Sequence, residues 1–230
     1  MLGLGVSIAR GQYTEWLPSD ETKLFAWWRF NTGITLNGSN VSDWADSSSN
    51  SHDMRQADTG EQPAFSAGVL TFDPSSDTQN LYTSTNIELD GAFVIGFKIN
   101  PSADNVVIIA SNTVNNEMIK LLDNTSSEKI RVRNDSGVID FTLSSGTILD
   151  DAYWVISRDT SDNVTVYKDG SSVAAAQSLG GTFDIDAIGV RNEDTNAYNG
   201  TMKEVVIFKD TDDERLEALR LNLQTRLSEL

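Results

Sequence analysis

Two strand-like segments meet across a polar turn between residues 152 and 170, and the same grammar repeats along most of the chain. Ala152-Tyr-Trp-Val-Ile-Ser-Arg158 leads through Asp159 to Asp162 into Asn163-Val-Thr-Val-Tyr-Lys168, which ends on Asp169-Gly170. From Lys23 onward, β-branched and aromatic runs recur roughly every ten to fifteen residues between clusters of Gly, Asn, Asp and Ser. Leu24 to Phe30 is strongly β-prone. Ala92 to Ile99 alternates, with Phe93, Ile95, Phe97 and Ile99 on one face and Lys98 on the other. Val106-Val-Ile-Ile109 is continuously apolar, the pattern of a central strand buried on both faces. Met118 to Leu122, Lys129 to Arg133 and Val138 to Leu143 follow as short meander strands, the last two joined at Asn134-Asp-Ser-Gly137. Strands this short and frequent, with little helix between them, predict an all-β fold: one antiparallel β-sandwich.

At 230 residues the chain is long enough for one large β domain. Its 34 acidic side chains outnumber 17 basic ones, a net charge of −17. Such a surface repels phosphate, so neither nucleic acid nor an anionic membrane is an expected partner. There is no cysteine, hence no disulfide and no thiolate nucleophile or metal ligand. Met1-Leu-Gly-Leu-Gly-Val-Ser-Ile-Ala9 lacks a basic n-region and a long apolar h-region, so the protein is expected to be made in the cytoplasm without an export signal.

The two ends differ from the middle. Residues 1–20 read as an extended N-terminal arm stopped at Pro18-Ser-Asp20, residues 21–209 as the sandwich, and residues 210–230 as one C-terminal helix. Leu2, Leu4, Val6 and Ile8 alternate with small residues, as a strand added to a neighbouring subunit would. A frayed or locally docked terminus is the plainer reading of the same residues. Thr211-Asp-Asp-Glu214 has the form of a capping box. Leu216, Leu219, Leu223, Leu227 and Leu230 then recur at helical spacing, a stripe that docks on its own domain or on a partner helix.

Four segments in order carry a family likeness. Val69-Leu-Thr-Phe-Asp73, Gly91-Ala-Phe-Val-Ile-Gly-Phe97, the Tyr153-Trp154 to Asp169-Gly170 hairpin, and Gly200-Thr-Met-Lys-Glu-Val-Val-Ile-Phe208 resemble the strands of laminin-G-like, concanavalin A-like jelly rolls. The resemblance spans roughly residues 22 to 220 and implies that fold. A narrower one rests on Met1-Leu-Gly-Leu-Gly5, Trp27-Trp-Arg-Phe-Asn-Thr-Gly33 and Val41-Ser-Asp-Trp-Ala-Asp46, which are similar to virion proteins of tailed bacteriophages, especially marine ones. It implies a non-enzymatic structural component, a capsid decoration or fibre, on the virion surface. Its partners would be copies of itself and other virion proteins such as the capsid.

Chemistry is sparse. Sandwich glycosidases set two carboxylates on one strand face within Glu-x-Asp-x-x-Glu, and no such run occurs here. Asp184 and Asp186 share that spacing without the third acid. There is no nucleophile elbow, and the single histidine, His52, sits in a polar stretch that reads as a surface loop. No catalytic residue is therefore assigned. Calcium is the one cofactor to consider, with oxygens from Asn192, Asp194 and Asn196 or from Asp43 to Asp53; Asx-turns at strand ends explain the same residues. Glycan stacking would fall to Trp44, Tyr82 and Tyr198, for which ordinary packing is the plainer reading, while Trp27, Trp28 and Trp154 lie in apolar strands and belong to the core. Lys129, Arg131 and Arg133 share one strand face, either neutralising nearby carboxylates or meeting an acidic subunit. The expected function is a virion structural protein assembling through its arm. The alternative is a lectin-like module recognising surface glycans, with calcium as a possible aid.

Overall fold

The computed structural model describes residues 15–73, 78–114, 117–123, 127–143, 147–190 and 196–230. Among the described residues a 3-10 turn at Pro18–Asp20 precedes twenty strands: β1 (Leu24–Trp28), β2 (Ile34–Asn37), β3 (Asn40–Trp44), β4 (Met54–Arg55), β5 (Ala64–Ser66), β6 (Val69–Phe72), β7 (Leu81–Tyr82), β8 (Glu88–Leu89), β9 (Phe93–Pro101) and β10 (Val107–Ala110). The second half holds β11 (Met118–Asp123), β12 (Glu128–Asn134), β13 (Gly137–Thr142), β14 (Ala152–Arg158), β15 (Asn163–Lys168), β16 (Ser171–Ser172), β17 (Gln177–Ser178), β18 (Phe183–Asp184), β19 (Ala187–Ile188) and β20 (Gly200–Lys209). Helix α1, Asp213–Ser228, closes the chain. The arm residues Leu2, Leu4, Val6 and Ile8 lie outside the described residues.

The predicted antiparallel sandwich is what forms. One sheet runs β15–β14–β9–β20–β1, with β6 taking over beside the first residues of β20. The other runs β3–β4–β7–β19–β10–β11–β12–β13, with β2 flanking β3. The sheets join at one end, where β5 pairs with both β3 and β6. Phe93, Ile95, Phe97 and Ile99 of β9 point into the space between the sheets, as their alternation requires, and meet Ile109, Ile119, Ile130, Val132, Trp154 and Ile207 in one core. Trp28 and Trp154 lie in that core, and Trp27 is buried on the opposite face of its sheet. The hairpin between β15 and β16 turns at Asp169 and Gly170, whose φ values of 48° and 81° match the mirror-image turn that Asp-Gly favours.

α1 docks on the outer face of the first sheet. Leu216, Leu219, Leu223 and Leu227 cover Trp27, Val94, Val155, Val206 and Phe208, so the leucine stripe is spent within its own domain. The helix comes so near β9 that a Cβ on Gly96 would stand 2.5 Å from Leu223 Cδ2, which explains a glycine in mid-strand. Arg226 reaches down from the helix to Glu204, fully buried on β20, with Nε and Nη2 donating at 2.5 and 2.9 Å; the backbone N–H of Phe30 donates to the same carboxylate at 3.0 Å. The capping box expected at Thr211 is displaced by one residue. Asp212 is the N-cap, accepting from the N–H groups of Glu214 and Arg215 at 3.0 and 3.2 Å.

Candidate functional site

The outer face of the second sheet carries one row of side chains across its strands. Direct cross-strand pairing lines up Asp43, Arg55, Tyr82, Ala187, Ala110, Met118, Arg133 and Val138. The middle of the row, Ala187, Ala110 and Met118, is buried. Its two flanks carry the polar chemistry.

At the β12–β13 flank the basic face neutralises an acid. Arg131 grips Asp140 with two hydrogen bonds of 2.7 and 3.0 Å, and Lys129 stands 4.0 Å from the same carboxylate. The guanidinium holds the Asp140 carboxyl below its usual range, and Asp140 in turn raises Arg131. Arg133 sits on the same face, opposite Met118 and Val138.

At the other flank lies an open polar cleft of ≈ 430 Å³, lined by Asn37, Ser42, Asp43, Arg55, Gln56, Ala57 and Gln62. A β-bulge makes it. Thr35 pairs with Asp43 but Leu36 with Val41, so Ser42 is the extra residue, and Asp43 turns outward while Val41 and Trp44 both turn in. Ser42 Oγ donates to Asp43 Oδ2 at 2.9 Å. Arg55 Nε lies 3.1 Å from Asp43 Oδ1, and its Nη2 donates to Asp53 Oδ2 at 3.4 Å. Tyr82, half-buried, stands opposite Arg55 in the pairing register.

Buried hydrogen bonds hold the floor. Gln62 Nε2 donates to the Gln56 carbonyl at 2.8 Å, and Asn37 Nδ2 donates to Gln62 Oε1 at 3.3 Å. Gln56 Nε2 donates to both Glu61 and Asn80, at 2.9 and 2.8 Å. Gln56, Gln62 and Asn80 are each at most 5% exposed, so their amides are fixed in advance of any ligand. A guanidinium, a carboxylate, amides and a hydroxyl beside an aromatic ring offer donors and acceptors together, the pattern that a polyhydroxylated ligand can use.

Of the three aromatics expected to stack on sugars, only Tyr82 reaches a surface. Trp44 is fully buried by the bulge register and donates Nε1–H to the Arg29 carbonyl at 3.1 Å. Tyr198 is fully buried against Phe72, its hydroxyl donating to the Thr201 carbonyl at 2.9 Å. For these two the stacking role is overturned and the packing reading holds: both rings complete the core. His52 is a further correction. It is 5% exposed, packed on the Phe25 ring at 5.1 Å, and its carbonyl accepts from Trp28 Nε1. Burial lowers its imidazole below the ordinary value, against the pull of Asp46 and Asp53.

Within the stretch from Asp43 to Asp53, backbone N–H groups occupy Asp46 and one oxygen of Asp53, and Arg55 pairs with Asp43 and with the other oxygen of Asp53. Asp46 accepts from the N–H groups of Trp27, Ser48 and His52, and Asp53 accepts from that of Asp46. Asn192 and Asp194 lie outside the described residues; the Asn196 carbonyl accepts from Val107 and its Oδ1 from Asn105, both within the fold. Among the described residues no group of three or more His, Asp or Glu is placed to hold a metal ion.

Asp184 and Asp186 join an acid missed in the sequence, Glu117. Glu117 is 5% exposed and accepts from the Asp184 N–H, while buried Asp186 accepts from the Asn112 N–H. Burial first, with Asp184, Asp135 and Asp186 adding, raises Glu117 to about 7.

No protein-family model matches the chain, and no curated protein sequence does. Solved structures match its fold. Domain 4 of AbnA, an extracellular GH43 arabinanase from Geobacillus stearothermophilus in complex with arabinotriose, superposes with a TM-score of 0.60 at 15% identity, covering 86% of this chain and 98% of that domain. A GH54 α-L-arabinofuranosidase soaked with a cyclic sulfate inhibitor gives 0.57 at 13%, over 80% of this chain and 50% of that one. Botulinum neurotoxin type C, which depends on interaction with two ganglioside molecules to enter cells, gives 0.52 at 15%, over 87% and 51%. The chain thus spans nearly all of the arabinanase domain and about half of the other two chains. At these identities the likeness is one of fold: a jelly-roll β-sandwich.

Proposed function

We propose that this chain is a non-catalytic carbohydrate-binding domain that holds a saccharide in the cleft of Asp43 and Arg55, against Tyr82 on the neighbouring strand. The observation that carries this reading is the cleft itself, an open polar rim set on buried, fully engaged amides. The arabinanase domain adds support, since a domain of this fold and nearly this extent is in complex with arabinotriose. Against hydrolysis stands the placement of the acids: Asp186 and Glu117 are buried and each accepts a backbone N–H. The virion reading, with its capsid partners, rests on the sequence resemblance alone.

The test is a glycan array followed by titration calorimetry on the strongest binder, with arabinan and arabino-oligosaccharides included. Tyr82→Ala and Arg55→Ala should each weaken binding roughly tenfold or more, about 1.4 kcal/mol, with little change in melting temperature. Bound polysaccharide should release no reducing sugar on prolonged incubation. A flat array from folded protein, or binding that both variants leave intact, sinks the proposal.

A further inference from the structure

The charge balance around Arg55 narrows what the cleft can hold. Among the described residues Arg55 is the one cation lining it, and it is already shared between two carboxylates, Asp43 at 3.1 Å and Asp53 at 3.4 Å. Behind the lining, Glu61 accepts from Gln56 and Asn80 and adds a third carboxylate. Around this site the chain as a whole carries a net charge of −17. A carboxylate, sulfate or phosphate arriving here meets a guanidinium that is more than neutralised locally, in a field that repels it.

A neutral sugar meets something different. Hydroxyl groups both donate and accept, so a pair of neighbouring hydroxyls can donate to Asp43 while accepting from Arg55. Arg55 has five N–H donors, of which its two carboxylate partners engage Nε and Nη2. Asn37 commits its amide N–H to Gln62, which leaves Asn37 Oδ1 as an acceptor at the rim. The Asp43 and Asp53 carboxylates also hold the guanidinium in place, so it meets a ligand already oriented.

We infer that the cleft selects neutral saccharides and rejects acidic ones, namely uronates, sialylated glycans and sulfated sugars. This rests on the carbohydrate-binding reading above and specifies its ligand class. Asp43 and Asp53 act as the rejecting charges, with Asp43 also an acceptor for sugar hydroxyls.

The experiment pairs each neutral polymer with its own oxidised form. Galactan, glucan and mannan are compared with the uronates made from them by oxidising the C6 alcohol, in 20 mM and in 500 mM salt. At least one neutral polymer should bind, and its uronate should bind roughly tenfold more weakly or worse at low salt, a gap that shrinks at high salt as the repulsion is screened. Asp53→Asn, which keeps the oxygen that accepts from Asp46, should narrow the ratio between neutral polymer and uronate at low salt. A uronate that binds as well as its parent, or better, overturns the inference. If that binding is lost in Tyr82→Ala, the cleft remains a saccharide site and only its selectivity is misassigned. Should neither member of any pair, nor arabinan, bind to folded protein, the function and the inference fall together.

Discussion

Glu117→Gln should make this protein more stable at pH 8 and leave it nearly unchanged near pH 4.5. In the fold, burial and three neighbouring carboxylates raise Glu117 from its ordinary 4.5 to about 7. The folded state therefore keeps a proton on Glu117 across the interval in which the unfolded chain has lost it. Below about pH 4.5 both states are protonated and no penalty exists. As pH rises toward 7 the folded state is progressively destabilised, and above 7 the penalty is constant. At about 1.4 kcal/mol for each pH unit between the two values, the full penalty is about 3 kcal/mol. Glutamine never ionises, and its carbonyl can still accept the Asp184 N–H.

The assay is thermal and urea unfolding of both proteins from pH 4.5 to 8.5 at fixed ionic strength. Only the difference between them matters, because other carboxyls titrate in both. Asp140 and Glu217, for example, are held low by Arg131 and Arg220, and their contributions fade as pH falls through the acid range. At pH 8 the variant should melt about 6–12 °C higher, on the scale of 2–4 °C per kcal/mol for a domain of this size. The gain should vanish through the interval from 7 down to 4.5. A difference that is the same at every pH would refute the reasoning, as would a carboxyl carbon of Glu117 titrating below pH 5 by NMR.

Three further substitutions probe the packing. Arg226→Ala strands the Glu204 carboxylate in the core and should cost roughly 3–5 kcal/mol in urea unfolding, whereas replacing both partners by methionine should cost less than either single change. Gly96→Val places a side chain where Leu223 and Leu227 already stand; a loss of about 1–3 kcal/mol is expected, and a double-mutant cycle with Leu223→Ala should recover part of it. Asp212→Ala should cost about 1 kcal/mol and Thr211→Ala almost nothing, the reverse of what a cap at Thr211 requires.

How far the sequence could be read depended on whether a pattern was local. The alternation of β9 and the apolar run of β10 report burial directly, because a strand's faces follow from its period of two. The leucine stripe of α1 is equally local, and the helix docks as the stripe implies. Trp44 shows where local reading stops. Counting by twos from buried Val41 puts Asp43 inside and Trp44 outside; the bulge at Ser42 exchanges them, and its position is set by pairing with β2. Arg55 gave no signal, since its place beside Asp43 and Tyr82 comes from two non-local pairings. Glu117 was invisible for the same reason: its neighbours Asp184 and Asp186 lie far along the chain. The Asn/Asp-rich stretch at residues 43–53 resembled an ion site, yet Asp46 and one oxygen of Asp53 are taken by backbone N–H groups, which any sequence rich in Asx-turns will do.

The same geometry decides which face of the sandwich can meet a ligand. A sandwich has two outer faces, and here α1 closes much of one, since the leucines that cover Val94, Val155 and Val206 leave little of that sheet to offer. On the other face the centre is shut at Ala187, Ala110 and Met118. The β12–β13 flank is occupied by its own ion pairs, Arg131 having spent Nε and Nη2 on Asp140. What remains on that face among the described residues is the corner where β3 bulges. There, one misaligned residue turns Asp43 out beside Arg55 and seats Trp44 beneath it as packing. Giving Ser42 a partner should therefore act on binding and stability together. A residue inserted in β2 between Thr35 and Leu36 removes the bulge with Ser42 kept, and strict alternation can then no longer hold Val41 and Trp44 inward together: Trp44 turns toward water as Asp43 turns toward the core, or Val41 is turned out instead. An insertion variant that folds with unchanged stability and an unchanged glycan profile would show that the bulge does not build the site.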